Sequence, residues 1–224
     1  ALFMIVPMGS QGVPAPASAT LGGFWRDPGC LASAFLLVVG SVVALSIDVP
    51  DTLRGIKGDE ATYVAMAMSL AYDGDLVYEA KDEERFFSIY NGGPEGIYLK
   101  KGVLSSFAVN GTFPFLHRET YVEDRDDRLF FAKAFISSVF AAPVVRVAGV
   151  NGMGWFNVVL LTCAAFCAYR FVAARSPATV ALPYALAFVG ASITPLYVVW
   201  LSAEVFNLAL VLFSYFLWFY KEVA

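Results

Sequence analysis

Long apolar runs that contain no charge place the strongest limit on how this chain can fold. One run of twenty residues, 28–47, lies between Asp27 and Asp48. Twenty helical residues, each rising 1.5 Å, cover the ~30 Å hydrocarbon core of a bilayer. Hydrophobic residues make up 58% of the chain and charged residues only 15%, whereas a soluble domain has about 45–50% and 25%. We therefore expect an integral membrane protein.

Later runs predict further spans. Residues 147–169 carry no charge, and residues 176–220 carry only Glu204. The second run would measure ~68 Å as one helix, so it must hold two spans that turn near residues 194–204. The sequence thus predicts an all-α membrane protein with about four transmembrane helices. Its predicted parts are an N-terminal tail (1–27), the first transmembrane helix (28–48), a large loop (49–152) and transmembrane helices two to four (153–220).

The stretch at 129–149 is ambiguous, because Lys133 and Arg146 leave only twelve uncharged residues between them. Twelve residues are too few for a span, so we expect an interfacial helix bent near Pro143. Lys and Arg in short loops favour the cytoplasmic side of a membrane. If this helix does not cross, loop 49–152 is extracytoplasmic, and the cytoplasm holds the basic residues Arg26, Arg170, Arg175 and Lys221. If it does cross, Arg170 and Arg175 move to the outer side.

The predicted loop begins with a second pattern. Asp59 and Glu60 precede apolar residues at helical spacing, and Asp73-Gly74 marks a stop. This predicts an amphipathic helix over 59–72 with Asp59 as its N-cap. Two acidic residues at a helix start are explained by capping and by the helix dipole alone. The competing interpretation is a functional site.

Glu204 favours the functional interpretation, because an ionisable residue within an apolar run is a functional hypothesis by default. The predicted topology puts Glu204 on the same side as Asp59 and Glu60, where the three could meet a cation, a phosphate-bound metal or a hydroxyl to be deprotonated. The cysteines and the single histidine do not have the spacing of a zinc site. Sixteen of the nineteen acidic residues lie within 48–128, which disfavours nucleic acid as a partner.

Three segments resemble one family of enzymes. They are GDEATYVAMAMSLAYDGDL, RLFFAKAFISSVFAAPVVRVAGVNGMGWFNVVLL and YVVWLSAEVF. They resemble the first outer loop, the start of the second span and the second outer loop of GT-C glycosyltransferases of the protein O-mannosyltransferase and aminoarabinose transferase type. The resemblance covers residues 31–220.

The resemblance implies that a sugar is transferred from a polyprenyl-phosphate carrier at the outer face of a membrane, which we expect to be a bacterial inner membrane. By position, Asp59 would be the catalytic carboxylate, Glu60 its neighbour and Glu204 the acid of the second outer loop. A divalent cation is a possible cofactor, and membrane lipids and the sugar carrier are expected partners. Candidate cations for the carrier phosphate are Lys133, Arg146, Lys100 and Lys101. The favoured interpretation of each one is an ordinary interfacial cation that meets anionic lipid.

A rival hypothesis comes from another class. Family members are usually at least twice as long, so the chain is expected to be either the front of a longer enzyme or a short relative that has lost the reaction. In the second case it would be a noncatalytic membrane subunit that binds partner proteins or lipid through its outer loop and the aromatic-rich segment FSYFLWFY. A transporter is a more distant alternative, because no inverted repeat is visible.

Overall fold

The structure is a computed structural model that describes residues 26–52, 55–102, 105–120 and 127–223. All but the last two residues of the predicted tail, 1–27, lie outside this part. The described chain is mostly helical. Its helices are α1 (Pro28–Ser46), α2 (Val49–Thr52), α3 (Asp59–Tyr72), α4 (Ala80–Ile89), α5 (Ile136–Ala148), α6 (Asn151–Ala173), α7 (Ala178–Gly190), α8 (Thr194–Val199) and α9 (Glu204–Val223).

The mostly helical part of the fold prediction is confirmed, but five short strands that were not predicted accompany the helices. Strands β1, β2 and β5 have only two or three residues, too few to carry a period-2 pattern that a sequence could reveal. Three of them form an antiparallel sheet in the order β1-β5-β2, and the other two form a hairpin. Their bounds are β1 (Val77–Tyr78), β2 (Leu99–Lys101), β3 (Ser105–Val109), β4 (Leu116–Thr120) and β5 (Leu129–Phe131).

Helices α1, α6, α7 and α9 form a bundle in which α6 packs against the other three. Among the described residues, α1 and α6 are the two helices that are both long enough and apolar enough to cross a membrane. Helix α7 is apolar but has 13 residues, which is ~20 Å of helix. The predicted turn near 194–204 is occupied by α8 and the loop that leads into α9.

Polar contacts fix the directions of these helices. Arg170 near the end of α6 lies 3.7 Å from the carboxylate of Asp27, the N-cap of α1, and donates a hydrogen bond of 3.0 Å to the Tyr220 hydroxyl on α9. At the opposite end, the Asn151 side chain donates to the Ile47 carbonyl at 2.9 Å. Helix α1 therefore runs antiparallel to α6 and α9, which run in the same direction, and the start of α1 lies beside the ends of both.

Helices α1 and α6 approach each other closely at glycine. A Cβ atom at Gly40 would lie 2.6 Å from Val158 Cγ1, closer than real Cβ contacts allow. The Trp155 indole donates to the Ser41 hydroxyl at 2.9 Å across the same interface. Small residues and interhelical hydrogen bonds of this kind hold apolar helices together where lipid removes the hydrophobic driving force.

The residues between α1 and α6 form a unit around α3 that we call the polar unit. Its apolar core also includes Met153 of α6 and Leu201. This helix has the predicted bounds, Asp59–Tyr72, but nine of its residues between Glu60 and Ser69 are buried. The expectation of an amphipathic helix with one exposed face was wrong, because α3 packs against α5 on one side and α4 on another. It is the central element of the polar unit.

The prediction of a helix over 129–149 was also wrong for its first seven residues, 129–135. Residues Leu129–Phe131 form strand β5, which pairs with both β1 and β2, and helix α5 begins only at Ile136. The Phe131 ring is buried and meets the Tyr78 ring edge to face at 5.7 Å. The residues that pair with β5 lie 28 or more positions away in sequence, so tertiary pairing overrides the local helical pattern. Pro143 lies inside α5.

Candidate functional site

Asp59 begins helix α3 at a turn that glycine makes possible. Gly58 is the N-cap residue and has φ of 58°, a left-handed conformation that L side chains rarely adopt. Its N–H donates to the Glu95 carbonyl at 2.8 Å. Asp59 is therefore the first helical residue and not the predicted N-cap. Its carboxylate lies at the positive end of the helix dipole, with 51% of the side chain exposed.

Lys133 is the ion-pair partner of Asp59. Its Nζ lies 2.8 Å from Asp59 Oδ1 and 4.4 Å from the centre of the Tyr98 ring. The hydrogen bond to Asp59 raises the pKa of the Lys133 ammonium. The Tyr98 N–H donates to the Thr62 hydroxyl of α3 at 3.0 Å, and the Ala132 N–H donates to the Tyr98 carbonyl at 2.9 Å. These bonds hold the lysine over the start of α3.

Glu60, the next residue, has a different environment. Its side chain is buried, and its Oε1 accepts a hydrogen bond of 2.9 Å from the Leu201 N–H, in the loop before α9. Burial raises the pKa of the Glu60 carboxyl, the nearby charge of Glu204 raises it further, and the bond from Leu201 opposes both effects. Glu60 thus ties the polar unit to the bundle.

Glu204 completes a group that we call the acid cluster: Asp59, Glu60 and Glu204 with Lys133. Glu204 is the exposed first residue of α9. The charges of Lys133, Glu204 and Asp59 also act on the Tyr63 hydroxyl. Burial is the main cause that raises the pKa of its hydroxyl, Lys133 lowers it, and Glu204 and Asp59 raise it. The structure therefore brings the three predicted acids together beside one predicted cation.

The other three predicted cations lie elsewhere. Lys100 and Lys101 are exposed on β2, where Lys101 pairs with Asp127 at 3.2 Å. The Arg146 guanidinium lies 5.0 Å from the centre of the Tyr72 ring, at the far end of α3 from Asp59. Thirteen helical steps separate those ends by ~20 Å. In the described parts of the chain, no hydrogen bond or ion pair joins these three cations to the acid cluster.

Sequence reasoning missed Tyr98, Tyr63 and the backbone of Leu201. Tyr98 lies 35 residues before Lys133, and Leu201 lies 141 residues after Glu60, so no local spacing connects them. The sequence signal for Leu201 is its position three residues before Glu204, itself a predicted site residue.

The described residues include no group of three or more His, Cys, Asp or Glu side chains that could hold a metal ion. Two apolar cavities lie between the bundle helices, with volumes of about 360 and 350 Å³. Neither is lined by a residue of the acid cluster, although Leu201 lines the second.

No protein-family model, curated protein or solved structure matches this chain. The resemblance to GT-C glycosyltransferases therefore stays a prediction from the three short segments. The chemistry of the acid cluster and its position at one end of the bundle are the features of the molecule that bear on function.

Proposed function

We propose that this chain is a four-span membrane protein whose acid cluster, at the outer face, transfers a sugar from a polyprenyl-phosphate carrier to a hydroxyl acceptor. The observation that carries the proposal is the pairing of the half-exposed Asp59 with Lys133 beside Glu60 and Glu204, at the end of the bundle where α9 begins.

The exposure of apolar side chains supports the membrane part. Only 17% and 28% of the apolar windows of α1 and α6 are buried inside the protein, whereas a core helix of a soluble protein is mostly buried. Phe35 and Val42 of α1 are 67% and 63% exposed. Exposing such surface to water costs about 25 cal/mol per Å², a cost that lipid removes.

Charge supports the orientation. The end of the bundle that holds Asp27 and Arg170 also holds Arg175, which donates to the Glu222 carbonyl at 2.9 Å. Clustered basic residues favour the cytoplasmic side. The acid cluster lies beyond the opposite ends of the helices. In this orientation those ends are on the outer side of the membrane.

The chemistry follows from the geometry of the pair. In the proposed step, the acceptor oxygen bonds to the anomeric carbon, the bond from that carbon to the phosphate oxygen breaks, and the electron pair stays on the phosphate. Asp59 takes the acceptor proton, because its carboxylate is exposed and held by Lys133. Lys133 also lies where its charge can offset the negative charge on the leaving phosphate. Glu60 positions α3 and does not touch the reactants.

The test compares two carboxamide variants. Membranes that contain the chain are supplied with undecaprenyl-phosphate mannose or undecaprenyl-phosphate aminoarabinose, and release of undecaprenyl phosphate is measured. We expect Asp59→Asn to lower release by about a hundredfold or more, because a general base contributes about 10²–10⁴-fold. The control is Asp51→Asn, which removes an exposed carboxylate of α2.

Release by Asp59→Asn within twofold of the wild type, at equal protein level, would contradict the catalytic assignment. Release by the wild type no greater than that of membranes without the chain would favour the noncatalytic subunit. One observation favours that second candidate: the aromatic-rich part of α9 is highly exposed, with Leu217 at 74% and Trp218 at 71%. Such a surface is suited to a partner helix as well as to lipid.

A further inference from the structure

Helix α5 has an exposed apolar face where a soluble protein would have a polar one. Phe140 is 59% exposed and Val147 is 88% exposed, and the opposite face is buried against α3. The exposed residues recur at three- and four-residue spacing, which puts them on a single side of the helix. We call this side the α5 stripe: Ile136, Val139, Phe140, Pro143 and Val147.

The α5 stripe continues into the apolar surface of the bundle. The Phe140 ring lies 5.6 Å from the Phe206 ring of α9, and Phe206 lies 6.2 Å from the Phe156 ring of α6. At Gly152, a Cβ would lie only 2.7 Å from the Val144 carbonyl oxygen, so α5 and the start of α6 are packed backbone to backbone. Lipid around α6 and α9 would therefore also meet the stripe.

Successive helical residues are rotated by about 100° around the axis. This rotation puts Arg146 on the flank of α5, between the stripe and the buried face. Its guanidinium and that of Arg85 lie 5.0 and 5.1 Å from the centre of the Tyr72 ring. Arg85 is neutralised by Asp73 at 2.9 Å and by Asp82 at 3.0 Å. Arg146 has no carboxylate within ion-pair distance in the part of the chain that the structure describes, and it is exposed.

We propose that the α5 stripe lies among the acyl chains of the outer leaflet and that Arg146 binds the phosphate of an anionic phospholipid there. This inference rests on the membrane part of the proposed function. A planar guanidinium donates two parallel hydrogen bonds to a phosphate diester, and the ring of Tyr72 holds it at the edge of the stripe. The ~20 Å between Arg146 and Asp59 makes this a position for a structural lipid, separate from the carrier phosphate at Lys133.

The first test measures where the stripe lies. Spin labels are attached at Phe140→Cys and Val147→Cys in a background without Cys30, Cys163 and Cys167, and the protein is reconstituted in vesicles of phosphatidylcholine and phosphatidylglycerol. We expect both labels to collide more with oxygen than with a water-soluble nickel complex, as a lipid-facing label at Val42→Cys on α1 should. A label at Glu84→Cys, exposed on α4, should show the reverse.

The second test measures lipid identity beside Arg146. A fluorophore at Val147→Cys is quenched by doxyl-labelled phosphatidylglycerol or doxyl-labelled phosphatidylcholine. We expect phosphatidylglycerol to quench about fivefold more strongly per molecule, the effect of one basic residue near anionic lipid. Arg146→Gln should bring the two lipids to parity, and Lys81→Gln, which removes an exposed charge on α4, should leave the preference intact.

Water-like accessibility at 140 and 147 with lipid-like accessibility at 42 would overturn this inference and leave the membrane proposal standing. Water-like accessibility at 42 as well would overturn both. An unchanged preference for phosphatidylglycerol in Arg146→Gln would overturn the phosphate site alone.

Discussion

Two neighbouring carboxylates, Asp59 and Glu60, have separate roles because successive helical residues point 100° apart. Asp59 faces Lys133 and solvent, and Glu60 faces the Leu201 backbone inside the protein. The sequence predicted that both belong to a site with Glu204, since the predicted topology puts all three residues on the same side of the membrane. Residue spacing alone could not distinguish the environments of Asp59 and Glu60, because the residues that differ between them, Lys133 and Leu201, are distant in the chain.

The buried carboxyl of Glu60 predicts a pH effect on stability. Burial raises its pKa above the ordinary 4.5, so the folded chain binds this proton more tightly than the unfolded chain does. The resulting stabilisation is full below pH 4.5 and is lost as the pH rises through the raised pKa. Glu60→Gln keeps an oxygen acceptor for the Leu201 N–H but does not titrate. We expect the thermal midpoint of the wild type in detergent to fall relative to Glu60→Gln between pH 4 and pH 7.

Parallel profiles for the two proteins across that range would contradict this account of Glu60. The carboxyl of Asp82, whose pKa burial also raises, is present in both proteins, so its contribution cancels in the comparison.

At the scale of elements, a helix with a long sequence pattern was predicted better than a strand of three residues. Helix α3 has the predicted bounds because Gly58 and the Asp73-Gly74 pair interrupt the apolar spacing on both sides. Strand β5 was missed because three residues carry no period, and its stability comes from backbone bonds to β1 and β2. Short strands of this kind are specified by their partners rather than by their own sequence.

Packing of α1 on α6 gives a prediction with a matched control. Gly40→Ala places a Cβ 2.6 Å from Val158 Cγ1, so we expect it to lower the free energy of unfolding by about 1–3 kcal/mol. At Gly154, on the same interface, the nearest atom to a new Cβ is Ala44 Cβ at 3.6 Å, an ordinary contact. Gly154→Ala should therefore be neutral or slightly stabilising, since alanine favours helix. Thermal unfolding of both variants in detergent is the measurement, and equal effects would refute the close-approach argument.

At the scale of the whole molecule, apolar runs predicted the two helices that are long and apolar enough to cross a membrane. The runs located α1, α6 and the turn before α9, because apolar length is the main requirement of a span. The contacts of Arg170 with Asp27 and Tyr220 place the predicted cytoplasmic ends together. The polar unit was not foreseen in this form, since its core is built by α3 from residues that are far apart in sequence.

The central claim is that the acid cluster and the basic residues lie on opposite sides of one membrane. Single cysteines at Glu84 and Arg175, in a background without the three native cysteines, are exposed to a membrane-impermeant maleimide in intact cells. We predict that Glu84→Cys is labelled at once and that Arg175→Cys is labelled only after the membrane is permeabilised. Labelling of Arg175→Cys in intact cells, or protection of Glu84→Cys, would contradict the four-span arrangement and with it an outer site at Asp59.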